Sequence, residues 1–397
     1  MNDDATFADD LDFLRTHTEV IVLSQECSQA RAAIVPAWQG RVMTSTVGPG
    51  SGPSFGWVNR ALISSGKVQE HINAFGGEDR LWLGPEGGQF SIFFDRGAPF
   101  DFAYWSVPAS LDTLPFRVAG RSSDWARFEA DISLVNYCGT RFDVVVDREL
   151  RLLEPACAWR ELGMAPSERI ALVGYRSTNV LINAGQAAWS KETGLLCVWV
   201  LGMFPPGDAT TIAVPIRRGP ESELGPRVNS DYFGAIPADR LKVTEGSVFL
   251  SGDGRFRCKL GINPRRSLGK LGSYDARRKV LTIVRFSQPE GVNQYADSRW
   301  KIHEDPYAGD AINAYNDGPT SPGSDPMGPF FEMESSSPAV ALHPGDRIEH
   351  IHRTFHLMGP EDVLDAVSRE VLGLPLAEVI SALDATDPGL EEQRSAM

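Results

Sequence analysis

The stretch that decides the fold reads Gly328-Pro-Phe-Phe-Glu-Met-Glu-Ser-Ser-Ser-Pro-Ala339, followed at once by Val340-Ala-Leu-His-Pro-Gly-Asp346. If residues 331–334 are extended, successive side chains point to opposite faces of a sheet. Phe331 and Met333 then face one side, while Glu332 and Glu334 face the other. This pattern predicts a strand whose apolar face lies on a core and whose acidic face meets water or a ligand.

Short runs of β-branched and aromatic residues, broken by Gly, Pro, Asn or Asp, recur along most of the chain. Helical periodicity is nearly absent between residues 115 and 300. So many strands without crossover helices predict an all-β, antiparallel sandwich rather than a doubly wound α/β fold. The predicted strands are 19–25, 30–36, 40–46, 116–119, 125–135, 140–153, 169–179, 195–203, 210–215, 248–251, 256–260 and 279–286.

Short helices are predicted at both ends of this β-rich region. Phe7, Leu11 and Leu14 have helical spacing behind acidic residues, and 360–372 and 376–383 show the same apolar period. We therefore divide the chain into an N-terminal helix in 1–17, a β-rich domain in 18–357, and C-terminal helices with a tail in 358–397. The Gly- and Pro-rich segment 47–56 is predicted to be a loop.

Composition limits the possible partners. The chain has 397 residues, 42% of them apolar, and a formal net charge of −14. A large core is therefore possible, whereas nucleic acid and anionic membrane surfaces would repel the protein. A neutral small molecule is the expected partner, and the composition leaves the oligomeric state open.

Location and cofactors follow from what the sequence lacks. No apolar run approaches the roughly 20 residues of a membrane span, and the acidic start does not resemble a secretory signal. We expect a cytoplasmic protein whose five scattered cysteines are reduced and mostly buried. No phosphate loop or dinucleotide fingerprint is present, so no cofactor is expected.

A second dense stretch runs from His71 to Phe94 and carries paired glycines at 76–77 and 87–88. Glycine permits a close-approach turn, which would hold Arg80, Trp82 and Glu86 together. Aromatic rings stack on the C–H faces of sugars, and charged groups bind hydroxyls. The residues therefore indicate a sugar site, although Trp82 filling the core of a glycine-bent strand pair explains them equally well.

The C-terminal block resembles that of the galactose mutarotase-like (aldose 1-epimerase) superfamily. The resemblance lies in Phe330-Phe-Glu-Met-Glu334, Leu342-His-Pro-Gly-Asp346 and the strand that ends Arg353-Thr-Phe-His-Leu357. The block Gly76-Gly-Glu-Asp-Arg-Leu-Trp-Leu-Gly-Pro-Glu86 is similar to a segment of divergent members of that superfamily. The resemblance covers residues 20–357 and implies a large antiparallel β-supersandwich with a carbohydrate cleft on its concave face.

The resemblance also implies roles for individual residues. Glu334 matches the glutamate that acts as general base on the anomeric hydroxyl. The expected general-acid histidine has no counterpart in the matching region 177–189, and no histidine lies between His71 and His303. Those two histidines are therefore the candidate acids, with Lys191 a weaker one. Asp310 or Asp317 would correspond to a substrate-binding aspartate.

Other residues complete the predicted site. Glu332 shares a face with Glu334 and is a candidate partner in catalysis or binding. Trp82, Trp105 and Trp189 are candidates to stack on a sugar. Asn316, in the segment 309–319, is a candidate ligand contact.

Two metal sites are conceivable alternatives. Five oxygen donors in thirteen residues could hold calcium, although turn chemistry or contact with a ligand explains them better; they are Asp305, Asp310, Asn313, Asn316 and Asp317. On a terminal edge strand, His350, His352 and His356 would share one face, and Glu334 could complete a metal set. A solvated strand face is the simpler interpretation of these histidines.

Together these patterns predict a carbohydrate-active protein, with enzymatic activity favoured but not required. An aldose 1-epimerase-like isomerase with Glu334 as base is preferred. A glycoside hydrolase or lyase is the alternative within the enzyme class, but neighbouring carboxylates on one strand rarely flank a bond from both sides. A non-catalytic carbohydrate-binding protein would use the same cleft without an acid–base pair.

Overall fold

The computed structural model describes residues 5–48, 50–320 and 323–384. Within them, antiparallel strands form three sheets. The strands are β1 (Ile21–Ser24), β2 (Arg31–Val35), β3 (Arg41–Thr46), β4 (Arg80–Gly84), β5 (Arg117–Arg121), β6 (Trp125–Val135), β7 (Arg141–Leu152), β8 (Ala171–Asn183), β9 (Cys197–Phe204), β10 (Thr210–Pro215), β11 (Leu241–Val243), β12 (Ser247–Ser251), β13 (Cys258–Ile262), β14 (Lys270–Asp275), β15 (Val280–Phe286), β16 (Ile312–Asn316), β17 (Phe331–Ser336) and β18 (Arg347–Met358).

The largest sheet has ten strands in the order β11-β12-β10-β14-β15-β18-β8-β7-β6-β5. A five-stranded sheet, β13-β16-β17-β9-β4, packs against it, and β1-β2-β3 form a small third sheet. The five-stranded sheet is assembled from distant parts of the chain, since β4 joins β9 and β17 lies between β9 and β16. The stretch 328–339 and the stretch 71–94 therefore meet in one sheet, through β17 and β4.

The helices are short and lie outside the sandwich. They are α1 (Phe7–Arg15), α2 (Arg60–Ser65), α3 (Ala109–Asp112), α4 (Pro155–Leu162), α5 (Glu221–Leu224), α6 (Glu361–Val367) and α7 (Leu376–Ile380). Thr6 and Asp9 form a capping box at the start of α1. A π-helical turn over Ser368–Leu372 follows α6. The C-terminal helices and α4 cover the outer face of the large sheet, where Trp159 of α4 and Leu364 of α6 form one core cluster with Phe355 of β18.

The main core lies between the two large sheets. Phe331 and Met333 are buried there against residues of both sheets, including Leu260 and Val284. Glu332 and Glu334 lie on the opposite face of β17, as their alternation with Phe331 and Met333 predicts. Removing such apolar side chains from water is the main favourable term in folding.

The core also contains a layer of polar groups. Arg148 on β7 donates to Asp79 at 2.6 Å, and both side chains are fully buried. Glu78 accepts hydrogen bonds from Ser45 and from Tyr175, and it contacts the Nε2 atom of His356 at 2.9 Å. A buried ion pair of this kind is costly to break, because each partner would be left as an uncompensated charge.

The histidines of β18 are part of this layer, which makes the solvated edge-strand interpretation wrong. β18 lies in the middle of the ten-stranded sheet, between β15 and β8. His350 and His352 are fully buried, and both contact the Oγ atom of Ser335 at 2.8 Å. The facing five-stranded sheet, which contacts both histidines through Ser335 on β17, covers this face, and the periodicity of β18 cannot reveal such packing.

The all-β supersandwich class and the terminal helices are confirmed, with several local differences. The helices α2, α3, α4 and α5 and the strands β11, β14 and β16 lie in segments for which no such element was predicted. The cysteines are free, as expected, but only Cys197 and Cys258 are buried, whereas Cys27 and Cys138 are exposed. Among the described residues, no helix has both the length and the apolar character needed to cross a membrane.

The buried histidines predict a loss of stability in acid. Burial lowers the pKa of His350 to about 3 and that of His352 to about 4, whereas an unfolded histidine titrates near ~6.5. The unfolded chain therefore binds more protons as the pH falls below that value, and stability is lost progressively. The substitution His350→Gln removes one such group. Between pH 7.0 and 5.0 the unfolding free energy of this variant should therefore fall less than that of the wild type, and the difference between the two losses should be about 2 kcal/mol.

Urea unfolding at the two pH values measures this difference. The control is His343→Gln, because His343 is exposed on the turn before β18. The prediction fails if His350→Gln and the wild type lose the same free energy on acidification.

Candidate active site

The outer face of the five-stranded sheet forms the floor of a hollow. Strand register brings Arg80, Leu201 and Glu334 into one row across β4, β9 and β17, and Tyr315 lies opposite Glu332. Because alternate residues of each strand share a face, the same surface also carries Trp82, Trp199, Met203 and Lys259. Five strands thus supply one contiguous polar and aromatic surface.

Loops form the walls of this hollow. Lining side chains from outside the floor are Ile72, Glu86, Phe102, Trp105, Phe233, Arg257, Trp300, Met327 and Phe330. Trp105 stacks with Trp300 at 5.8 Å between ring centroids, and Arg257 lies 3.7 Å from the centroid of Phe233. The enclosed volume is about 60 Å³, enough for a few water molecules.

The glycine pair at 76–77 forms a turn that positions Arg80 on this floor. Both glycines have positive φ, 101° and 108°, and a Cβ on Gly76 would lie 2.0 Å from the Trp57 carbonyl oxygen. Only glycine tolerates this combination of conformation and close approach. The predicted close-approach turn is present, and the chain enters β4 directly after it.

Arg80 and Glu332 form a buried ion pair. The Nη2 atom of Arg80 lies 2.6 Å from Oε1 of Glu332, with only 2% and 7% of the two side chains exposed. The guanidinium also stacks over Trp82, 4.2 Å from the ring centroid. The Nε and Nη1 atoms of Arg80 are buried and have no hydrogen-bond partner among the described residues. Arg80 therefore retains donors that a ligand in the hollow can use.

Glu334 lies beneath Trp199 and Lys259. Its Oε2 atom accepts a hydrogen bond from the indole nitrogen of Trp199 at 2.9 Å and lies 3.1 Å from the Nζ atom of Lys259. Its Oε1 atom is buried without a partner among the described residues. Glu334 is fully buried and does not itself line the closed hollow. Since a buried polar atom without a partner is costly, its Oε1 atom is a candidate acceptor for a hydroxyl of a ligand that opens the hollow as far as this carboxylate.

Burial shifts the protonation of the surrounding groups. It raises the pKa of Glu86, with the charge of Glu334 adding to the effect and that of Lys259 opposing it. Burial also raises the pKa of Glu332, where Arg80 opposes the effect and Glu334 reinforces it. For Lys259, burial acts to lower the pKa, but the carboxylates of Glu334, Glu86 and Glu332 outweigh it and the pKa is raised. The hollow thus combines a charged amine with carboxyl groups that hold protons more readily than usual.

Two further aspartates lie beside this surface. Asp317 accepts a hydrogen bond from Tyr315 at 2.7 Å, and burial raises its pKa to about 6. Asp310 accepts from Tyr232 at 2.7 Å and from Asn229, and burial raises its pKa to about 6 as well. Neither aspartate lines the hollow directly, but Asp317 orients Tyr315, which does.

Neither candidate acid histidine lines the hollow. Both ring nitrogens of His303 are occupied, Nδ1 at 3.3 Å from Asp297 and Nε2 at 3.0 Å from the carbonyl oxygen of Arg299. His71 lies behind the wall, where its Nδ1 atom contacts the carbonyl oxygen of Trp105 and its ring packs on Phe102. Both histidine side chains therefore stabilise loops and do not line the hollow.

Two other candidates also lie outside the hollow. Asn316 is on the opposite face of β16, where it binds the amide of Gly254 and the carbonyl of Phe256. Trp189 is buried in the main core and packs edge-on against Phe142. Trp189 precedes β9 by several residues, and sequence alone does not show on which side of the sheet such a loop folds.

The candidate metal sets do not assemble. Glu334 and Ser335 are neighbours on β17 and point to opposite faces, so Glu334 cannot join the histidines that contact Ser335. His356 is instead held by Glu78 and Thr282. Among the described residues, no group of three or more His, Cys, Asp or Glu side chains is placed to hold a metal ion, and this includes the segment 305–317.

Several residues of the hollow were not predicted from the sequence. Lys259, Trp199, Arg257, Trp300 and Phe233 all line it. Lys259 carries a usable signal, because it is a lone charge in the otherwise apolar strand Cys258–Ile262. The others lie in apolar strands or loops, and only the strand order brings them together.

The chain belongs to a family of unknown function (DUF6786), whose model matches residues 5–383. No curated protein matches it. Among solved structures it is similar to a putative aldose 1-epimerase from Escherichia coli K12, with 12% identity and a TM-score of 0.52 over 86% of this chain and 99% of that one. It is also similar to the Slr1438 protein from Synechocystis sp. PCC 6803, with 14% identity and a TM-score of 0.50 over 86% and 96% of the two chains. At these identities the likeness shows the fold, which is galactose mutarotase-like.

The buried ion pair at the floor predicts a large cost for removing its cation. Arg80→Met leaves Glu332 buried without its partner, so the unfolding free energy should fall by about 3 kcal/mol. The control is Arg169→Met, which removes an ion pair whose two side chains are more than half exposed; it should change stability by less than about 0.5 kcal/mol. Urea unfolding at pH 7 measures both, and equal effects would contradict the prediction.

Proposed function

We propose that this member of the family binds a small carbohydrate in the hollow and interconverts its anomers, with Glu334 as general base. The observation that carries the proposal is the unpartnered Oε1 atom of Glu334, buried at the floor of a sheet face lined by tryptophans. A carboxylate oxygen in that position can accept the proton of an anomeric hydroxyl. The galactose mutarotase-like fold is in keeping with such a role.

The lining of the hollow suits a sugar. Trp82, Trp105, Trp199 and Trp300 line the hollow with aromatic surface of the kind that packs on sugar C–H groups, while Arg80 has unused donors for hydroxyl oxygens. Positive and negative side chains are both present and largely paired with each other. A neutral polyhydroxylated ligand fits this balance better than a strongly charged one.

Opening of the sugar ring also needs an acid at the ring oxygen. We assign this role to Glu86, because it lines the hollow and its raised pKa keeps a proton available at higher pH than usual. Glu332 is a less suitable acid, since its carboxylate is engaged by Arg80. In this proposal a carboxyl group has the general-acid role that the sequence suggested for His71 or His303.

Binding requires the walls to move. Ligand sites usually enclose roughly 300–1,000 Å³, far more than the 60 Å³ of the closed hollow. Phe102 is the most accessible part of the wall, with 41% of its surface exposed. Phe102 begins a short 3₁₀ helix, Phe102–Tyr104, and Phe233 lies on a loop. Displacement of both side chains would widen the hollow without disturbing the sheet.

Non-catalytic carbohydrate binding is the second candidate. It is favoured by the ion pairs of both floor carboxylates, Glu332 with Arg80 and Glu334 with Lys259. A carboxylate held by a cation can accept a hydroxyl hydrogen bond without taking up the proton. In that case the hollow would bind a sugar and release it unchanged. A glycoside hydrolase or lyase remains a less favoured use of the same hollow.

The first prediction from this proposal concerns Glu334. Glu334→Gln keeps the shape and the acceptor oxygen but removes the base, so turnover should fall by roughly 100-fold or more while sugar binding is retained. Polarimetry on freshly dissolved anomers of a panel of aldoses measures turnover, and calorimetric titration measures binding. The control is Glu349→Gln, which changes an exposed glutamate on β18.

Wild-type protein that binds an aldose but does not accelerate its mutarotation would support the non-catalytic candidate. Catalysis that survives Glu334→Gln unchanged would remove Glu334 from the mechanism.

The second prediction concerns pH. An acid must be protonated to act, so turnover should decline as the pH rises through the raised pKa of Glu86. Glu86→Gln cannot donate a proton. It should therefore show turnover at least about tenfold lower, together with loss of the decline at high pH. The same polarimetric assay between pH 5 and 9 tests this, and an unchanged alkaline limb in Glu86→Gln would assign the acid role to another group.

A further inference from the structure

A second and larger cavity lies at one end of the sandwich. It has a volume of about 530 Å³, and none of its lining residues is shared with the hollow described above. Its walls come from α1, from the loop between β3 and α2, and from the ends of β9, β14, β15, β17 and β18. This volume lies within the range usual for small-molecule sites.

The walls are mainly apolar. Phe55, Trp57, Phe204 and Phe331 line the cavity together with four prolines at 53, 205, 206 and 329. The imidazole of His356 forms part of the wall and stacks on Phe55, with ring centroids 4.4 Å apart. Such walls favour a ligand with an aromatic or alicyclic body.

A chain of hydrogen bonds ends at the cavity. Glu78 contacts the Nε2 atom of His356 at 2.9 Å, and the Nδ1 atom of the same ring contacts Thr282 Oγ1 at 2.9 Å. Glu78 also accepts from Ser45 and Tyr175, so the carboxylate acts as acceptor and Nε2 carries the proton. The Nδ1 contact fixes the orientation of the Thr282 hydroxyl. Whether this hydroxyl donates to Nδ1 or accepts from it, its oxygen keeps a lone pair that a ligand hydroxyl in the cavity can use.

The charged side chains that line the cavity are close to opposite charges, so a charged ligand is not needed to neutralise them. Asp10 is paired with Arg60 at 2.7 Å, and Asp275 lies 3.7 Å from Arg278. In addition, the buried hydroxyl of Thr210 lines the cavity and has no hydrogen-bond partner among the described residues. A buried hydroxyl without a partner indicates a place where a ligand or water supplies the missing hydrogen bond.

We propose that this cavity is a second ligand site, which binds a neutral aromatic or alicyclic alcohol through its apolar walls and the Thr282 hydroxyl. The ring system packs among Phe55, Phe204 and Phe331. Its hydroxyl donates to Thr282, whose orientation is fixed by His356 and Glu78. The site is independent of the sugar proposal, because it uses no residue of that hollow.

The test compares 2-naphthol with naphthalene, which has the same rings without the hydroxyl. Ligand-observed NMR titrations should show millimolar or tighter binding of both to the wild type. Thr282→Val keeps the shape of the side chain but removes the oxygen, so it should weaken 2-naphthol by roughly three- to tenfold and leave naphthalene unchanged. Thr282→Ser restores the hydroxyl and should restore 2-naphthol binding.

Val280→Trp places an indole in the cavity from the start of β15 and should abolish binding of both probes. This variant decides the question even if Thr282→Val does not fold. The proposal is overturned if neither probe binds the wild type, if Val280→Trp binds both normally, or if folded Thr282→Val fails to distinguish the two probes. Activity of the hollow is not needed for any of these measurements.

Discussion

The structure depends on three consecutive charged residues that reach three different buried partners. Glu78 contacts His356 on β18, Asp79 pairs with Arg148 on β7, and Arg80 pairs with Glu332 on β17. Each contact joins the start of β4 to a strand distant in sequence. Since an unpaired buried charge costs several kcal/mol, these contacts specify one arrangement of the two sheets and reject others.

Burial of charged groups away from water also determines the chemistry of the candidate active site. A carboxyl group in water is almost fully ionised at neutral pH, whereas burial raises the pKa of Glu86 and Glu332. Lys259 stays charged because the carboxylates around it outweigh its own burial. A compact set of aromatic rings around these groups keeps water out and strengthens each electrostatic interaction. Stability and potential reactivity therefore share one physical origin.

The two cavities differ in how their polar groups are satisfied. In the hollow on the five-stranded sheet the unused donors of Arg80 lie among paired charges, and the unused acceptor of Glu334 is buried in the floor beneath them. At the end of the sandwich, the Thr282 hydroxyl, oriented by His356, and the unpartnered Thr210 hydroxyl lie among apolar rings. The first arrangement suits a ligand with many hydroxyls, and the second suits a mainly apolar ligand with few.

The sequence by itself determined the fold class and the local pattern of β17. Alternation of Phe331, Glu332, Met333 and Glu334 fixes which face meets the core, because side-chain direction in a strand has a period of two. The glycine pair before β4 likewise fixes a turn, and hence the approach of Arg80 to the floor.

Strand order, by contrast, was decided only by the tertiary structure. It placed His350 and His352 in a dry core rather than on a solvated edge, excluded Trp189 from the hollow, and brought Lys259 beside Glu334. Pairing between strands far apart in sequence depends on the combined burial of whole sheets, which no local pattern of residues encodes.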